Sequence, residues 1–146
     1  MATSLYNTDF YSWIQQQVML IRTGNTEALD LDNILEELEG MGKSEHRALS
    51  SRLDILLMHL LKWRYQPEHQ STSWRGTIEE QRFRLKRLLK DNPGLKPEIP
   101  AIIIDAYKVA KITAFRETGL PKESFPADCP WTFDRIMDND FWPGAD

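Results

Sequence analysis

The chain has 146 residues, of which 41% are hydrophobic and 27% are charged, and its formal net charge is −4 at pH 7. These values are typical of one soluble globular domain. They disfavour nucleic acid and anionic membranes as partners, because the field of an acidic protein repels both. The single cysteine, Cys129, excludes an intramolecular disulfide and a cysteine-based zinc site.

Targeting and membrane signals are missing from the sequence pattern. The first ten residues have neither a basic region nor an apolar run, so we expect no signal peptide. No apolar run approaches the roughly 20 residues that a membrane-spanning helix needs, so we expect no membrane interaction. A lone thiol fits a reducing compartment, and a cytoplasmic location is predicted.

Hydrophobic periodicity and helix-stop signals predict five helices in chain order. They cover residues 9 to about 23, near 31 to 40 or 42, about 44 to 65, 73 to 92, and from between 97 and 100 to 119. Thr8, Asp30 and Ser73 are the expected N-caps of the first, second and fourth helices. A tail with four prolines follows, and it includes a short helical turn over residues 132–137.

The third helix has apolar side chains on all sides over residues 53–67 when it is projected at about 100° per residue. His59 and Lys62 are its strongly polar interruptions. A helix of this kind must be enclosed by other helices. We therefore predict an all-α fold, a single-domain bundle of about five helices over residues 1–146, with a central apolar helix and a C-terminal tail rich in proline and aromatic residues.

Two helices carry more apolar surface than one core-facing stripe requires. On the fifth helix, Ile104, Ile112 and Phe115 lie roughly opposite the face that contains Ile102. On the fourth helix, Phe83 stands apart from the apolar stripe. These four residues are either covered by the folded-back tail or form an interface with a second copy of the chain or another protein.

Polar residues suggest one candidate pocket near the end of the central helix. Its members would be Glu36, Glu37, His59, Lys62, Trp63, Gln66 and Trp74. The alternative is that the glutamates form structural ion pairs and that His59 is a hydrogen-bonded core residue. A metal site is disfavoured, because His46 and His59 project about 220° apart on one helix and His69 follows the proline break. No cofactor is predicted.

The fourth helix carries the main local basic surface. Arg75, Arg82 and Lys86 share one face, where a nucleic acid backbone could bind. Glu79 and Glu80 interrupt that face, and the net charge of the protein opposes nucleic acid binding. A solvated helix face is therefore the preferred interpretation.

Several ordered motifs resemble those of one bacterial family. They are Tyr6-x-x-Asp9-Phe10-x-x-Trp13, residues 29–39 with Gly42-Lys43-Ser44-Glu45, His59-Leu60-Leu61-Lys62-Trp63-x-x-Gln66-Pro67, Ser73-Trp74, Gly119-Leu120-Pro121, Phe125-Pro126 and Cys129-Pro130-Trp131. In this order they resemble the "domain of unknown function 29" family, which is common in cyanobacteria. The resemblance implies a small helical protein without established activity, so no catalytic residues carry over.

The surplus apolar helix surface and the lack of a catalytic motif predict a non-catalytic protein that self-associates or binds another protein. Two alternatives remain open. The first is a nucleic-acid-associated regulator of the antitoxin type that uses the basic fourth helix. The second is an enzyme or ligand-binding protein with a pocket around His59, Glu36 and Glu37.

Overall fold

The computed structural model describes residues 4–144, and this part of the chain contains helices and no β-strand. The α-helices are α1 (Leu5–Thr8), α2 (Phe10–Arg22), α3 (Leu31–Tyr65), α4 (Thr72–Asp91), α5 (Ile99–Thr118) and α6 (Phe133–Met137). Short 3₁₀ segments lie at Thr26–Ala28, Pro67–His69, Pro93–Glu98 and Lys122–Ser124. The predicted all-α class is confirmed. None of these helices is both long enough and apolar enough to cross a membrane.

Two helix caps differ from the prediction. Asp9 rather than Thr8 caps α2, because its carboxylate accepts hydrogen bonds from the amide of Ser12 at 3.0 Å and from its hydroxyl at 2.7 Å. Ser71 rather than Ser73 caps α4, and its hydroxyl accepts from the amide of Trp74 at 3.1 Å. In both cases the cap lies three residues before the amide that it satisfies, which is the usual spacing.

The predicted second and third helices form one helix of 35 residues, α3. Gly40 and Gly42 do not end it. Each glycine costs a helix interior about 1 kcal/mol relative to alanine, and the leucine- and glutamate-rich residues around them favour helix strongly. No other group lies within 4 Å of a Cβ built at either position, so no close packing requires glycine there.

The chain divides into two compact units, and the boundary along the sequence lies between residues 44 and 45. The predicted single-domain organisation stays a prediction. In the first unit, α1 and α2 form a small aromatic cluster in which the Tyr6 and Trp13 ring centroids lie 4.7 Å apart. The Trp13 indole donates to the Asp30 carboxylate at 3.0 Å, and the Asp30 amide donates to Gln17 at 2.8 Å. Trp13 and Gln17 are its buried side chains among residues 4–44.

The second unit contains the main hydrophobic core. The later part of α3 supplies six fully buried leucines: Leu49, Leu53, Leu56, Leu57, Leu60 and Leu61. They project within about 140° of one another. The prediction that this helix is enclosed on all sides is wrong at Ile55, which lies on the opposite side and is 37% exposed. The six leucines pack with α4, α5 and the tail in one cluster that includes Ile78, Leu85, Ile102, Ala106, Ala110 and Ile136. Fully burying one such side chain stabilises the fold by about 1.5–3 kcal/mol.

The tail packs against α3, α4 and α5 at specific positions. Its Trp142 ring lies 4.7 Å from Trp63, and the Tyr107 hydroxyl donates to the Pro126 carbonyl at 2.6 Å. The outer face of α5 is not covered by it, since Ile104, Ile112 and Phe115 remain 60%, 50% and 44% exposed. The expectation that the tail hides this face is wrong, because the tail is held elsewhere by these contacts.

Candidate functional site

The exposed side of α4 carries an aromatic ring among basic side chains. Phe83 is 66% exposed, and it lines a depression of about 450 Å³ together with Lys86, Arg87, Lys90 and Asp91. Within residues 4–144, no carboxylate lies within 4.0 Å of the charged groups of Lys86, Arg87 or Lys90. We call Phe83, Lys86, Arg87 and Lys90 the basic surface. The aliphatic stems of its basic side chains and the Phe83 ring can contact an apolar side chain, and the charged groups attract acidic residues next to that side chain.

Arg82 does not belong to this surface, contrary to the sequence interpretation. Its side chain is fully buried. The Nε atom donates to the Ile136 carbonyl and the Nη2 atom to the Phe141 carbonyl, both at 2.8 Å. The guanidinium carbon lies 5.4 Å from the centroid of the Trp142 ring. Burial lowers the pKa of the Arg82 guanidinium. The residue therefore fastens the tail to α4.

The sequence contained a signal for this burial. Ile78, Arg82, Leu85 and Leu89 are spaced at i, i+4, i+7 and i+11, which places them on one helix face. The other three are buried apolar residues. A charged residue in the middle of such a series has to be buried along with its neighbours or interrupt their packing.

A second exposed feature lies in the first unit. Leu31, Leu35, Leu38 and Met41 on α3 are 65%, 56%, 59% and 65% exposed. At about 100° per residue their side chains fall within roughly 120° of one another. We call these four residues the leucine stripe. Two carboxylates, Asp32 and Glu39, border it on one side, with Lys43 next to them, whereas Glu36 projects roughly 160° from the centre of the stripe.

Lys62 of the predicted pocket is buried and forms an ion pair with an exposed carboxylate. Its Nζ atom donates to Glu117 Oε2 at 2.7 Å and lies 4.5 Å from the centroid of the Trp74 ring. The hydrogen bond from Lys62 lowers the pKa of the Glu117 carboxyl. Lys62 and Trp74 are thus brought together as predicted, and the anionic partner comes from the end of α5. The sequence pattern did not indicate Glu117, which is distant in sequence.

The other predicted pocket residues of the second unit also have partners. His59 is half-buried, its Nδ1 atom lies 2.8 Å from the Ile55 carbonyl, and burial lowers its pKa. Gln66 donates to the Thr118 carbonyl at 3.5 Å. Trp63 packs on the tail, as described above. His59 therefore has the hydrogen-bond partner that the structural interpretation expected, but it is half-buried and does not belong to the core.

Glu36 and Glu37 lie in the first unit. Glu37 accepts a hydrogen bond from the Tyr6 hydroxyl, and this bond is the main reason why the pKa of Tyr6 rises to about 12. Glu39 and Lys43, at i,i+4 spacing, do not form an ion pair within 4.0 Å. In the described residues, no group of three or more His, Cys, Asp or Glu side chains is arranged to hold a metal ion.

A sequence profile described as "Domain of unknown function DUF29" matches residues 5–142, nearly the whole chain. The chain belongs to this family. No curated protein and no solved structure is significantly similar to it.

The motifs that resemble DUF29 proteins occupy packing and turn positions in this chain. Tyr6 and Trp13 form the aromatic cluster of the first unit. Trp63 stacks on the tail. Gly119 ends α5 with φ 75°, a left-handed conformation that favours glycine, and its amide donates to Phe115 at 2.8 Å. These motifs therefore explain how the DUF29 chain folds and assign it no chemistry.

One half-buried carboxyl of this DUF29 protein, Asp54, has a buried oxygen atom without a partner. The Oδ1 atom of Asp54, on α3, has no hydrogen-bond partner within the described range, and burial raises the pKa of the carboxyl to about 6. The pKa of an aspartate in an unfolded chain is about 3.9. Between these two pKa values the folded state binds more protons than the unfolded state. This group therefore favours folding increasingly as the pH falls from above 6 towards 4.

We expect Asp54→Asn to be more stable than the wild type at pH 7, with an advantage that shrinks as the pH falls to 5. The substitution removes the ionised form that burial penalises. Urea midpoints of both proteins at the two pH values measure the effect, and Asp105→Asn at an exposed position of α5 is the control. An advantage that does not change with pH would show that Asp54 does not titrate in this way.

Proposed function

We propose that this protein is a non-catalytic, cytoplasmic interaction module that self-associates through the leucine stripe. The observation that carries the proposal is the exposure of four large apolar side chains at helical spacing on one helix. Monomeric soluble proteins rarely leave contiguous apolar patches of this kind in water, and such patches mark interaction sites.

The composition of the first unit supports a role in association. Among residues 4–44, the buried side chains are Trp13 and Gln17. The same residues include nine exposed large hydrophobic side chains: Leu5, Phe10, Tyr11, Met19, Ile21, Leu31, Leu35, Leu38 and Met41. A unit with so small a core gains most of its remaining hydrophobic stabilisation by contact with a partner.

The polar residues of the second unit support a non-catalytic role. A catalytic acid or base needs access to a substrate and a pKa suited to proton transfer. The ammonium of Lys62, which is 9% exposed, is already paired with Glu117, and Gln66 is bonded to backbone. The buried guanidinium of Arg82 is bonded to two carbonyls of the tail. These groups stabilise the fold.

The test is the double substitution Leu35→Glu with Leu38→Glu. We expect the wild type to sediment as a concentration-dependent dimer and the variant as a folded monomer, because two carboxylates on the stripe cannot be buried without large desolvation costs. The matched control adds the same two charges at exposed positions outside the stripe, Gln15→Glu with Ser44→Glu. It should dimerise like the wild type.

Two results would contradict the proposal. One is a wild type that sediments as a monomer from about 1 μM to about 1 mM, the range of weak protein affinities. The other is a stripe variant that still dimerises, combined with loss of the dimer in Ile112→Glu with Phe115→Glu. That combination would move the interface to the outer face of α5.

A further inference from the structure

The leucine stripe and the basic surface are complementary in both polarity and charge. The stripe presents apolar side chains with Asp32 and Glu39 along one border. The basic surface presents an exposed ring in a depression that is lined by three cations and one carboxylate, Asp91, so its net charge is positive. An apolar contact bordered by opposite charges is favoured both by burial and by electrostatic complementarity.

We propose that the leucine stripe of one copy of the chain binds the basic surface of a second copy. The proposal rests on the proposed function and names the surface that the stripe recognises. The leucines contact the Phe83 ring and the aliphatic stems of Lys86 and Lys90. The carboxylates of Asp32 and Glu39 lie beside the ammonium groups. Each chain carries both surfaces, so two copies of the same chain can form the contact.

Charge separates this arrangement from a symmetric pairing of two leucine stripes. Two stripes in contact would bring the acidic borders of both chains near one another, and like charges repel. The basic surface offers the opposite sign. Salt dependence follows directly: a contact held partly by opposite charges weakens when the Debye length falls from about 10 Å at 0.1 M salt to about 3 Å at 1 M salt.

The test is a charge exchange in full-length protein. Lys86→Glu with Lys90→Glu should weaken dimerisation by about tenfold or more at 0.1 M salt, which corresponds to about 1.4 kcal/mol. Asp32→Lys with Glu39→Lys should do the same. All four side chains concerned are exposed, so circular dichroism should show folded variants.

Two restorations complete the experiment. An equimolar mixture of the two double variants should form a heterodimer, because each stripe then faces the opposite charge. The quadruple variant should recover the homodimer. It has the net charge of the wild type, −4, since two changes each lower the charge by two and two changes each raise it by two. Recovery therefore cannot come from net charge alone.

Each other outcome overturns the pairing. Suppose that the charge-exchange variants still dimerise but Leu35→Glu with Leu38→Glu does not. That result would keep the proposed function and reject the basic surface as the partner of the stripe. The pairing would also be rejected if both double variants dimerise more weakly than the wild type and neither their mixture nor the quadruple variant recovers dimerisation. The basic surface would instead be assigned to nucleic acid by a third result. In that result a mixed-sequence DNA duplex binds the wild type, binding is lost in Lys86→Glu with Lys90→Glu, and binding is unchanged in the double variant on the border of the leucine stripe.

Discussion

Arg82→Met should lower the free energy of unfolding by about 3 kcal/mol. The substitution removes two hydrogen bonds from a charged donor, each contributing roughly 1.5–3 kcal/mol, and leaves the Ile136 and Phe141 carbonyls without these donors. Relief from burying the guanidinium offsets part of that loss. Urea denaturation measures the change, and proteolysis of the tail should become faster in the variant.

Arg84→Met is the matched control, because Arg84 is an exposed neighbour whose ion pair with Glu80 spans 3.8 Å on the helix surface. Such a pair contributes roughly 0.3–0.5 kcal/mol. Arg82→Lys should not restore stability, since one ammonium cannot reproduce the two directions of the guanidinium bonds. If Arg82→Met and Arg84→Met have the same midpoint, the tail is not held by Arg82.

Leu56→Ala or Leu60→Ala should lower the free energy of unfolding by about 2–5 kcal/mol, the usual cost of a cavity in a packed core. Both side chains are fully buried in the main cluster of the second unit. The cost is large because residues of α4, α5 and the tail belong to the same packed cluster. Denaturant midpoints of the purified variants measure the effect.

Ile55→Ala provides a control at the adjacent position of the same helix. Ile55 is 37% exposed, so its truncation leaves no closed cavity and should cost much less than Leu56→Ala. Equal losses at positions 55 and 56 would mean that α3 is not enclosed on the side that the structure shows.

The burial of the central helix was predictable in part. Leu53, Leu56, Leu57, Leu60 and Leu61 project within about 140° of one another and form the buried face. Ile55 on the opposite side suggested enclosure all round, but it is 37% exposed, since single apolar side chains often remain at a protein surface. The same reasoning predicted the all-α class. The continuity of α3 was not predictable from Gly40 and Gly42, because a modest glycine penalty competes with strong helix formers on both sides.

The burial of Arg82 was missed because charge was given more weight than position. A guanidinium is costly to bury unless its donors are satisfied, and the acceptors for its Nε and Nη2 atoms are carbonyls more than 50 residues away. Its buried Nη1 atom has no partner within the described residues. A helical projection cannot indicate such distant partners. The same limit applies to Glu117, the partner of Lys62.

The candidate interface residues of the sequence were found exposed, and the leucine stripe was added by the structure. Leu31, Leu35 and Leu38 follow the spacing of any core-facing helix. An apolar helix stripe has the same sequence pattern whether other residues cover it or not. The exposure of the leucine stripe could therefore be established only from the three-dimensional structure.

Hydrogen–deuterium exchange at increasing protein concentration tests the central claim most directly. If one copy's leucine stripe binds another copy's basic surface, amides of residues 31–41 and 83–90 should become protected together as the dimer forms, and both should lose that protection at 1 M salt. Protection of residues 31–41 alone, or exchange in both segments that does not depend on concentration, would contradict the account.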